Sequence, residues 1–412
     1  MRTICLFMLA ACDLTKPIPV LNSTDTADGG SGGADCEERT YDLPSTRGEV
    51  NGVWDAARGR FVIFGGDEGM PQNCIPKPEY LSETWAFHPD CNNFSQIAAS
   101  GTVPHARIRH ASALDAARGQ MLVYGGRYRE AASGNYDLFT DVWALDLETD
   151  TWSELPSDDG PRPRVTHTMV VSGDQLLVYG GNSTSSSTSY LPVGDLWSYD
   201  LVDQSWTELD DDTDAGERLF HAATVSDDGG TMYVYGGADE NALFGPFFAD
   251  LWAYDVGSQT WTELNDGSES APMGRIMPSL LFDGARNRLL MWAGHDDGNL
   301  GNTNEVWAFD LSDNSWNQLE SGDSYQNPAY GFCDFPPDFV DVDIEAPERR
   351  YFGAATLSED EMLIFAGKTD CGQSNDAWGW NLEDETWTER SGATFGEVCL
   401  RASAGDCESL CY

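Results

Sequence analysis

Short apolar runs, separated by polar or glycine-rich turns, follow one another along most of the chain. In one representative stretch they occupy 167–171, 175–179, 195–200 and 205–209, and the tight turn Ser172-Gly173-Asp174 joins the first two. Runs of this length bounded by turn residues predict β-strands. Apolar and polar positions barely alternate in 175–179, which is typical of a strand buried on both faces. The pattern predicts an all-β protein built from groups of four short strands.

This four-strand group occurs six times, and every copy carries the same markers. A tryptophan recurs with a second aromatic residue nine positions later: Trp85 and Phe94, Trp143 and Trp152, Trp197 and Trp206, Trp252 and Trp261, Trp307 and Trp316, Trp378 and Trp387. A carboxylate stands two residues before each first tryptophan: Glu83, Asp141, Asp195, Asp250, Glu305 and Asp376. Two small residues end the strand before it: Gly65-Gly66, Gly125-Gly126, Gly180-Gly181, Gly236-Gly237, Ala293-Gly294 and Ala366-Gly367. An arginine opens every unit: Arg47, Arg107, Arg164, Arg218, Arg275 and Arg350.

These markers resemble the kelch repeat, in which a Gly-Gly pair precedes an acidic-x-Trp-x-Tyr-Asp run and then a Thr-Trp step. The best copies are 195–200 with Ser205-Trp206, and 250–255 with Thr260-Trp261. The resemblance covers residues 47–390 and implies a six-bladed kelch-type β-propeller with four antiparallel strands per blade. Such sheets are too thin to stand alone, and radial packing lets each bury its neighbour's face.

Closure of the ring is a separate question. The segment 40–44 (Thr-Tyr-Asp-Leu-Pro) resembles a fourth strand placed before the first unit, so it could complete the last blade. A seventh, composite blade is the alternative, although 391–412 is short for three strands. We expect the propeller to span 36–390, with 391–412 as a disulfide-rich tail.

The charge balance narrows the possible partners. With 69 acidic and 23 basic residues, the formal net charge is -46. A surface of this sign repels phosphates and anionic headgroups, so we expect no nucleic-acid partner. Solubility, in saline surroundings for instance, is the simpler explanation of the charge, and attraction of cations or basic partners is the other.

The first residues have the pattern of an export signal. Arg2 precedes the apolar stretch 4–9, and Leu9-Ala10-Ala11-Cys12 resembles a bacterial lipobox. The resemblance implies a signal peptide over 1–12 and a lipid on Cys12; a short ordinary signal is the alternative. Residues 13–35 are largely small and polar, as in a flexible tether. We expect an envelope protein, on the periplasmic or extracellular side, that meets the membrane only through this anchor.

Cysteine content agrees with export. Eight cysteines remain after Cys5 and Cys12 are set aside, as an even disulfide framework requires: Cys36, Cys74, Cys91, Cys333, Cys371, Cys399, Cys407 and Cys411. Position suggests Cys74 with Cys91, Cys333 with Cys371, and Cys36 with a tail cysteine. Connectivity cannot be deduced from sequence.

A ligand surface is expected on one face of the propeller. Connections after the second and fourth strands of each blade emerge together, and they are long and unlike one another, whereas the turns on the opposite face are short and repetitive. Diverse loops on a rigid scaffold are where recognition usually lies. Its aromatic residues give the candidate ligand contacts Phe244, Phe247, Phe248, Tyr325 and Tyr330. Packing over the sheet edges is the alternative for about half of such loop aromatics, and we expect Phe244, Phe247 and Phe248 to be the least easily hidden.

The unit-opening arginines begin strands on the same face. Arg107, Arg164, Arg218, Arg275 and Arg350, with Arg47, could form a cationic ring that captures an anionic ligand such as an acidic sugar. The alternative, which we favour, is six structural salt bridges to the six carboxylates before tryptophan, because unpaired arginines this close together would repel one another.

Metal and catalytic motifs are weak. His110, His167 and His221 each stand three residues after an arginine, but we expect them to lie too far apart for one zinc or copper ion. The acidic stretches 210–214, 296–299 and 338–345 lack a calcium-loop spacing, so we expect no cofactor and keep calcium as an option. No nucleophile elbow or phosphate loop occurs.

Two functions remain open, beside a purely structural role in the cell envelope. The first is a non-enzymatic, monomeric surface protein that binds or adheres to a protein or glycan through the loop face. The second is a carbohydrate-active enzyme of the sialic-acid mutarotase kind, which the resemblance implies would need only an arginine and a carboxylate at the channel mouth. Fold alone does not separate these functions.

Overall fold

The computed structural model describes residues 43–68, 79–131, 133–268, 270–296, 301–325, 340–341, 345–369 and 372–393. All of them belong to one compact unit, Thr40–Tyr412, whereas the unit Met1–Arg39 lies outside the described residues. The lipid site, the tether 13–35 and all but one of the disulfide candidates also lie outside: Cys12, Cys36, Cys74, Cys333, Cys371, Cys399, Cys407 and Cys411. Their assignments remain predictions.

Twenty-four strands form the six blades, each with four consecutive antiparallel strands. Two short strands extend these sheets: Ser100–Gly101 runs parallel to the fourth strand of blade 2, and Arg350–Tyr351 pairs with the second strand of blade 6. Blade 1 holds β1 (Asn51–Asp55), β2 (Arg60–Phe64), β3 (Thr84–His88) and β4 (Asn93–Ile97). Blade 2 holds β5 (Ala111–Asp115), β6 (Gln120–Tyr124), β7 (Val142–Asp146) and β8 (Thr151–Leu155). Blade 3 holds β9 (Thr168–Ser172), β10 (Gln175–Tyr179), β11 (Leu196–Asp200) and β12 (Ser205–Asp210).

The second half of the ring repeats the arrangement. Blade 4 holds β13 (Ala222–Val225), β14 (Thr231–Tyr235), β15 (Leu251–Asp255) and β16 (Thr260–Asn265). Blade 5 holds β17 (Ser279–Asp283), β18 (Arg288–Trp292), β19 (Val306–Asp310) and β20 (Ser315–Glu320). Blade 6 holds β21 (Ala354–Leu357), β22 (Glu361–Thr369), β23 (Gly372–Asn381) and β24 (Trp387–Ser391). The prediction of six blades with four strands each is confirmed.

Burial follows position within a blade. Every residue of β2 is buried, and β6, β10, β14 and β18 are buried in all but their first residue. In the outer strands β12 and β16 exposed and partly buried residues mix instead. The weak alternation of apolar and polar residues in the second strand of each blade therefore reflects burial of both faces, as the sequence predicted.

The core lies between the blades. Seven apolar clusters occur among the described residues, and six of them each join two neighbouring blades: 6 with 1, 1 with 2, 2 with 3, 3 with 4, 4 with 5, and 5 with 6. The second aromatic residue of a blade packs against the aromatic residue at or near the end of the preceding blade's second strand. The ring pairs, with centroids 5.0–5.7 Å apart, are Phe94 with Phe365, Trp152 with Phe64, Trp206 with Tyr124, Trp261 with Tyr179, Trp316 with Tyr235, and Trp387 with Trp292. The aromatic wedge is thus the device that holds blade to blade.

A backbone hydrogen bond repeated at every blade junction closes the ring. The N–H of the second small residue donates to the carbonyl of the next unit's arginine, at 2.8–3.3 Å. The six donors and acceptors are Gly66 to Arg107, Gly126 to Arg164, Gly181 to Arg218, Gly237 to Arg275, Gly294 to Arg350, and Gly367 back to Arg47. Among the described residues each blade draws its four strands from one stretch of chain, so blade 6 takes no strand from the N-terminal side. Leu43 and Pro44 are not in a strand, and residues 40–42 lie outside the described chain. Pro44 instead accepts a hydrogen bond from Asn375 Nδ2 at 2.8 Å.

Cys91, in the turn after β3, is disulfide-bonded. Its partner lies outside the described residues, so the pairing with Cys74 remains a prediction.

Candidate functional site at the channel mouth

The six unit-opening arginines are buried and paired within their own blades. Their exposed fractions are 0–2%. Each donates to the carboxylate that precedes the blade's first tryptophan: Arg47 to Glu83 at 3.0 Å, Arg107 to Asp141 at 2.7 Å, Arg164 to Asp195 at 2.7 Å, Arg218 to Asp250 at 2.9 Å, Arg275 to Glu305 at 2.9 Å, and Arg350 to Asp376 at 2.5 Å. These are the six salt bridges of the structural alternative.

The other repeat markers join the same cluster. In blade 3, Arg164 Nη1 also donates to the Gly180 carbonyl at 3.0 Å, and Trp197 Nε1 donates to Asp195 at 2.9 Å. Equivalent bonds occur in all six blades. Burial acts to raise the pKa of Asp195, but the bonds and charge of Arg164 outweigh it and the pKa lies below its ordinary value. Since these guanidinium groups are saturated and hidden, we assign Arg107, Arg164, Arg218, Arg275 and Arg350 to blade stability rather than to a ligand.

The three histidines line the central cavity but lie on different blades. Their rings meet aromatic rings of the preceding blade edge-on, His110 on Phe64, His167 on Tyr124 and His221 on Tyr179, at 5.1–5.5 Å. Burial, followed by the charge of Arg107, lowers the pKa of His110 to about 3. A Cβ added to Gly65, Gly125 or Gly180 of the preceding blade would lie only 2.8–3.0 Å from the Cε1 atom of the facing histidine. The units after Ala293 and Ala366 have Gly353 and Val50 at the histidine position, so alanine replaces glycine only where no imidazole faces it.

The loop aromatics differ sharply in exposure. Phe244, in the short 3-10 helix Ala242–Phe244 between β14 and β15, is 91% exposed. Phe247 is 8% exposed and packs with Leu219, Met277 and other residues of a buried cluster, so the expectation that it stays accessible is wrong. Phe248 is half-buried beneath the guanidinium of Arg218, 5.0 Å from its ring centre. The backbone of Ser324–Tyr325 forms a short strand with Val340–Asp341, and Tyr330 lies outside the described residues.

Two rings of residues that the sequence analysis did not single out form the mouth of the channel on the loop face. The inner ring consists of the residue two positions after each unit-opening arginine: Glu49, Arg109, Thr166, Phe220, Met277 and Phe352. All six have a left-handed backbone, with φ between 55° and 60°. Non-glycine residues are uncommon in this region, and here the same position adopts it in every blade.

The outer ring consists of the residue directly after each pair of small residues: Asp67, Arg127, Asn182, Ala238, His295 and Lys368. Each pairs in antiparallel fashion with the strand entering the inner ring, opposite Gly48, Ile108, Val165, Leu219, Ile276 and Tyr351. All six are 0–7% exposed. The outer-ring residues thus lie beside the strand segments that lead into the inner ring, and the inner ring lines the cavity.

A network of charges occupies one side of these rings. Glu49 accepts hydrogen bonds from Nε and Nη2 of Arg109, at 2.9 and 3.0 Å, and from the ammonium of Lys368 at 2.6 Å. Lys368 also reaches Asp67 at 3.3 Å. Burial opposes ionisation of Glu49, yet Arg109 and Lys368 hold its pKa well below the ordinary range. Arg109 is sandwiched by aromatic rings, with Phe220 and Phe352 each 5.2 Å from its guanidinium.

Arg127 and Arg129 lie beside this network without a carboxylate. Arg127 is 7% exposed and Arg129 is 9% exposed, and their guanidinium groups lie 3.7 and 4.3 Å from the ring centre of Tyr136. Arg129 donates only a long bond, of 3.4 Å, to the Gly134 carbonyl. In the described chain neither residue forms an ion pair, and the Nε of each has no acceptor. Burial and the charge of Arg109 lower the pKa of Arg127 to about 10.

Below the rings runs a cavity of about 740 Å³ along the propeller axis. Its walls are the innermost strands β1, β5, β9, β13, β17 and β21. It reaches from the inner ring to the short turns of the opposite face, including Ala56 and Gly173. The inner-ring side chains therefore stand between the loop face and the channel.

The repeat itself carried a signal for both rings. Once the six units are aligned, the arginine two residues before the inner-ring position and the glycine directly before the outer-ring position recur in every unit, whereas the ring positions read E, R, T, F, M, F and D, R, N, A, H, K. Variation at a fixed place in a repeat indicates a role outside the common scaffold.

Metal ligands and membrane segments were searched over the same residues. In the described ranges no three His, Cys, Asp or Glu side chains are grouped as a metal site would require. No helix there has the length and apolarity needed to cross a bilayer. The expectations about calcium and cofactors stay predictions.

The fold and the aromatic-wedged repeat define a six-bladed β-propeller of the tandem-repeat class. The chain belongs to the kelch-repeat family, because the model of the KLHDC2/KLHL20/DRC7 Kelch-repeats domain matches residues 53–276 and 211–333. Kelch domain-containing protein 2 of Bos taurus is 31% identical over 217 residues, which are 48% of this chain and 50% of the bovine protein. The chain thus matches half the length of that relative.

Two further relatives match longer stretches of the chain. N-(sulfonatooxy)prop-2-enimidothioate sulfolyase of Thlaspi arvense is 28% identical over 248 residues, which are 57% of this chain and 67% of the plant protein. Kelch domain-containing protein 10 of Rattus norvegicus is 25% identical over 295 residues, which are 69% of this chain and 65% of the rat protein. The family is consistent with a protein-binding role.

Proposed function

We propose that the protein is a non-catalytic binding module that engages a protein ligand through its loop face. The observation that carries the proposal is Phe244, a phenylalanine that is 91% exposed, whereas Ala242 and Phe247 of the same loop are buried. An aromatic side chain left in water costs free energy that contact with a partner recovers. A surface that binds or adheres to a glycan is the finer alternative, because aromatic rings also stack on sugars.

The test compares Phe244→Ser with Val202→Ser. Val202 is 65% exposed in the turn between β11 and β12, on the opposite face, so the two changes remove similar exposed apolar groups from the two sides. The immobilised full chain and both variants are exposed to extract of the source cells, and a retained protein is purified and titrated. We expect Phe244→Ser to weaken binding at least tenfold and Val202→Ser to leave it unchanged.

Equal binding by all three chains would contradict a loop-face site. A glycan array probed with the same three proteins separates the ligand classes. Glycan binding that Phe244→Ser abolishes, with no retained protein, would replace the protein ligand by a sugar.

A mutarotase-like enzyme is the second candidate, and the observation in its favour is the pair of Arg109 and Glu49 at the channel mouth. The plant relative, whose sequence is similar over 248 residues, is named as a lyase. A general base, however, works best with a pKa near the operating pH, whereas Glu49 is 2% exposed, holds two cations and has its pKa depressed. Sialic-acid mutarotation faster than the buffer rate, lost in Glu49→Gln, would favour this candidate.

The same proposal places the propeller at the cell envelope, anchored by a lipid on Cys12. Its support is the Leu9-Ala10-Ala11-Cys12 motif and the small, polar residues that follow. We expect labelled palmitate to be incorporated into the parent and not into Cys12→Ser. Equal incorporation would exclude Cys12 as the lipid site.

A further inference from the structure

Three of the six large apolar side chains that are exposed in the described chain lie in one part of the loop face. They are Leu191, Phe244 and Met273, which are 53%, 91% and 49% exposed. The residue before Leu191 packs against the buried cluster that contains Phe247, and the residue after Met273 lies against the Phe247 carbonyl. Phe244 belongs to the same loop as Phe247. These three side chains, called the apolar patch below, are therefore grouped around one buried anchor.

The loops that carry the apolar patch are acidic and hold no basic residue. The four loops of blades 3 and 4 on this face contain eight Asp or Glu residues and no Lys, Arg or His: 182–193, 211–217, 238–249 and 266–274. The corresponding loops of blades 1 and 2 contain seven acidic residues but also four Lys or Arg: 67–81, 98–106, 127–139 and 156–163. The acidity of the whole chain does not account for this difference, because basic residues are present on the other side of the same face.

The carboxylates beside the apolar patch lack counter-charges. Of the acidic residues in these loops that the structure describes, none forms an ion pair, and all but Asp239 are exposed. Leu219 and Ala238 exchange both backbone hydrogen bonds, at 3.0 and 2.9 Å. Glu217 and Glu240 each lie two residues beyond this pair on the same side, so two like charges occupy neighbouring chain segments. Like charges on neighbouring segments are destabilising, and a cation placed beside them relieves the repulsion.

A single metal ion does not suit this arrangement. In the part of the chain that the structure describes, no three Asp, Glu, His or Cys side chains are grouped as a metal site requires. The carboxylates are instead spread over three loops, with exposed apolar side chains among them. A protein segment in which Lys or Arg flanks an aliphatic or aromatic residue matches both features. Its apolar contact would supply affinity, and its charges would speed and orient the association.

We propose that the apolar patch and its acidic loops form a docking surface for a basic, partly apolar segment of a protein partner. This partner chemistry deepens the proposed function and rests on it for the role of Phe244. It adds the sign of the partner's charge, which is tested by removing equal charge from two faces of the molecule.

The experiment selects ligands from a displayed library of short random peptides on the immobilised full chain. We expect the enriched peptides to carry an excess of Lys and Arg next to aliphatic or aromatic residues. An enriched peptide is then titrated against the parent, against Phe244→Ser and against two double variants. One combines Glu217→Gln with Glu240→Gln, and the other combines Glu148→Gln with Glu383→Gln. The latter two glutamates are exposed in turns of the opposite face, so both double variants remove two negative charges.

Phe244→Ser and the loop-face double variant should each weaken peptide binding by about fivefold or more, because each removes one part of the docking surface. The opposite-face double variant should bind like the parent, since general attraction to the acidic chain falls equally in the two double variants. Binding to the parent should also weaken as the salt is raised from about 0.05 M to about 0.5 M, because exposed charges are screened.

Four results would overturn a basic partner: no enriched peptide, enriched peptides without a basic excess, equal weakening by the two double variants, and no weakening by either. In each of these cases the extract experiment with Phe244→Ser still decides the proposed binding function separately. Peptide affinity that Phe244→Ser leaves unchanged would overturn the docking surface through its apolar part, so the two failures can be told apart.

Discussion

The blade salt bridge makes a prediction that depends on burial alone. Asp195 holds Arg164 through two bonds, at 2.7 and 2.8 Å, and accepts from Trp197 Nε1 at 2.9 Å. Asp195→Asn keeps the shape but turns an amide N–H₂ toward groups that only donate. It also leaves Arg164, with a side-chain exposure of 0%, without its counter-charge.

Breaking a buried ion pair in this way costs about 3–5 kcal/mol. That loss corresponds to about two to three and a half powers of ten in the unfolding equilibrium constant. The matched control is Asp174→Asn in the same blade, whose 2.6 Å pair with Arg118 is exposed, at 65% for the aspartate. A surface pair contributes at most about 1 kcal/mol. Both changes remove one negative charge, so they relieve the repulsion within the acidic chain equally.

The assay is urea unfolding followed by tryptophan fluorescence, with the free energy of unfolding compared at equal m-value. We expect Asp195→Asn to lower it by at least about 2 kcal/mol more than Asp174→Asn, the difference between the two ranges above. If the two variants lost the same stability, or if Asp195→Asn fell within about 1 kcal/mol of the parent, the reasoning from burial would be refuted.

Two further predictions follow from the blade junctions. His110 has a pKa of about 3 in the folded state and about 6.5 in the unfolded state, so between these pH values the unfolded state binds one proton more. The free energy of unfolding therefore falls by about 1.36 kcal/mol for each pH unit of acidification. His110→Gln should remove that much of the slope between pH 6 and 4, and an unchanged slope in urea titrations would contradict the burial of a neutral imidazole. Gly180→Ala should lower the free energy of unfolding by more than about 1 kcal/mol, because φ is 64° and the new Cβ would lie 2.8 Å from the Arg218 carbonyl oxygen. Ala366→Gly, at φ 58°, should leave the free energy of unfolding unchanged or raise it by up to about 1 kcal/mol. The opposite order of stabilities in thermal melts would contradict the difference between the two sites.

The sequence was sufficient to predict the contacts that recur in every blade. Arg164, Gly180, Asp195 and Trp197 recur with fixed spacing because the blade brings them into one cluster, so their pairing could be inferred from number and position. The burial of each sheet against its neighbour was predicted from the same repeat. These contacts occur once per blade, and six copies make the rule visible.

Loop burial depends on partners that have no periodicity. Phe244 and Phe247 belong to one loop and have the same side chain, yet one is 91% and the other 8% exposed. Phe247 is covered because its cluster joins Leu219 of its own unit with Met277 and Tyr351 of the next two. No pattern local to residues 238–248 contains that information, and ring closure at Pro44 and Asn375 depends on residues equally far apart in the chain.

The two rings at the mouth distinguish what the common fold determines from what varies between the blades, and loop length alone does not make this distinction. Their backbone is the same in all six blades, so the fold fixes where each side chain starts but not which residue it is. Glycine would adopt the left-handed inner-ring conformation at least cost, and a non-glycine residue there adds strain of about 1 kcal/mol or more. Six non-glycine residues have nonetheless been kept, two of them the charged partners Glu49 and Arg109. Non-glycine residues with the same left-handed backbone also occur in the turn between the third and fourth strands of every blade, so the conformation alone does not mark a functional position. What distinguishes the inner ring is its side chains, which differ from blade to blade and bring the ion pair of Glu49 and Arg109 to the channel mouth.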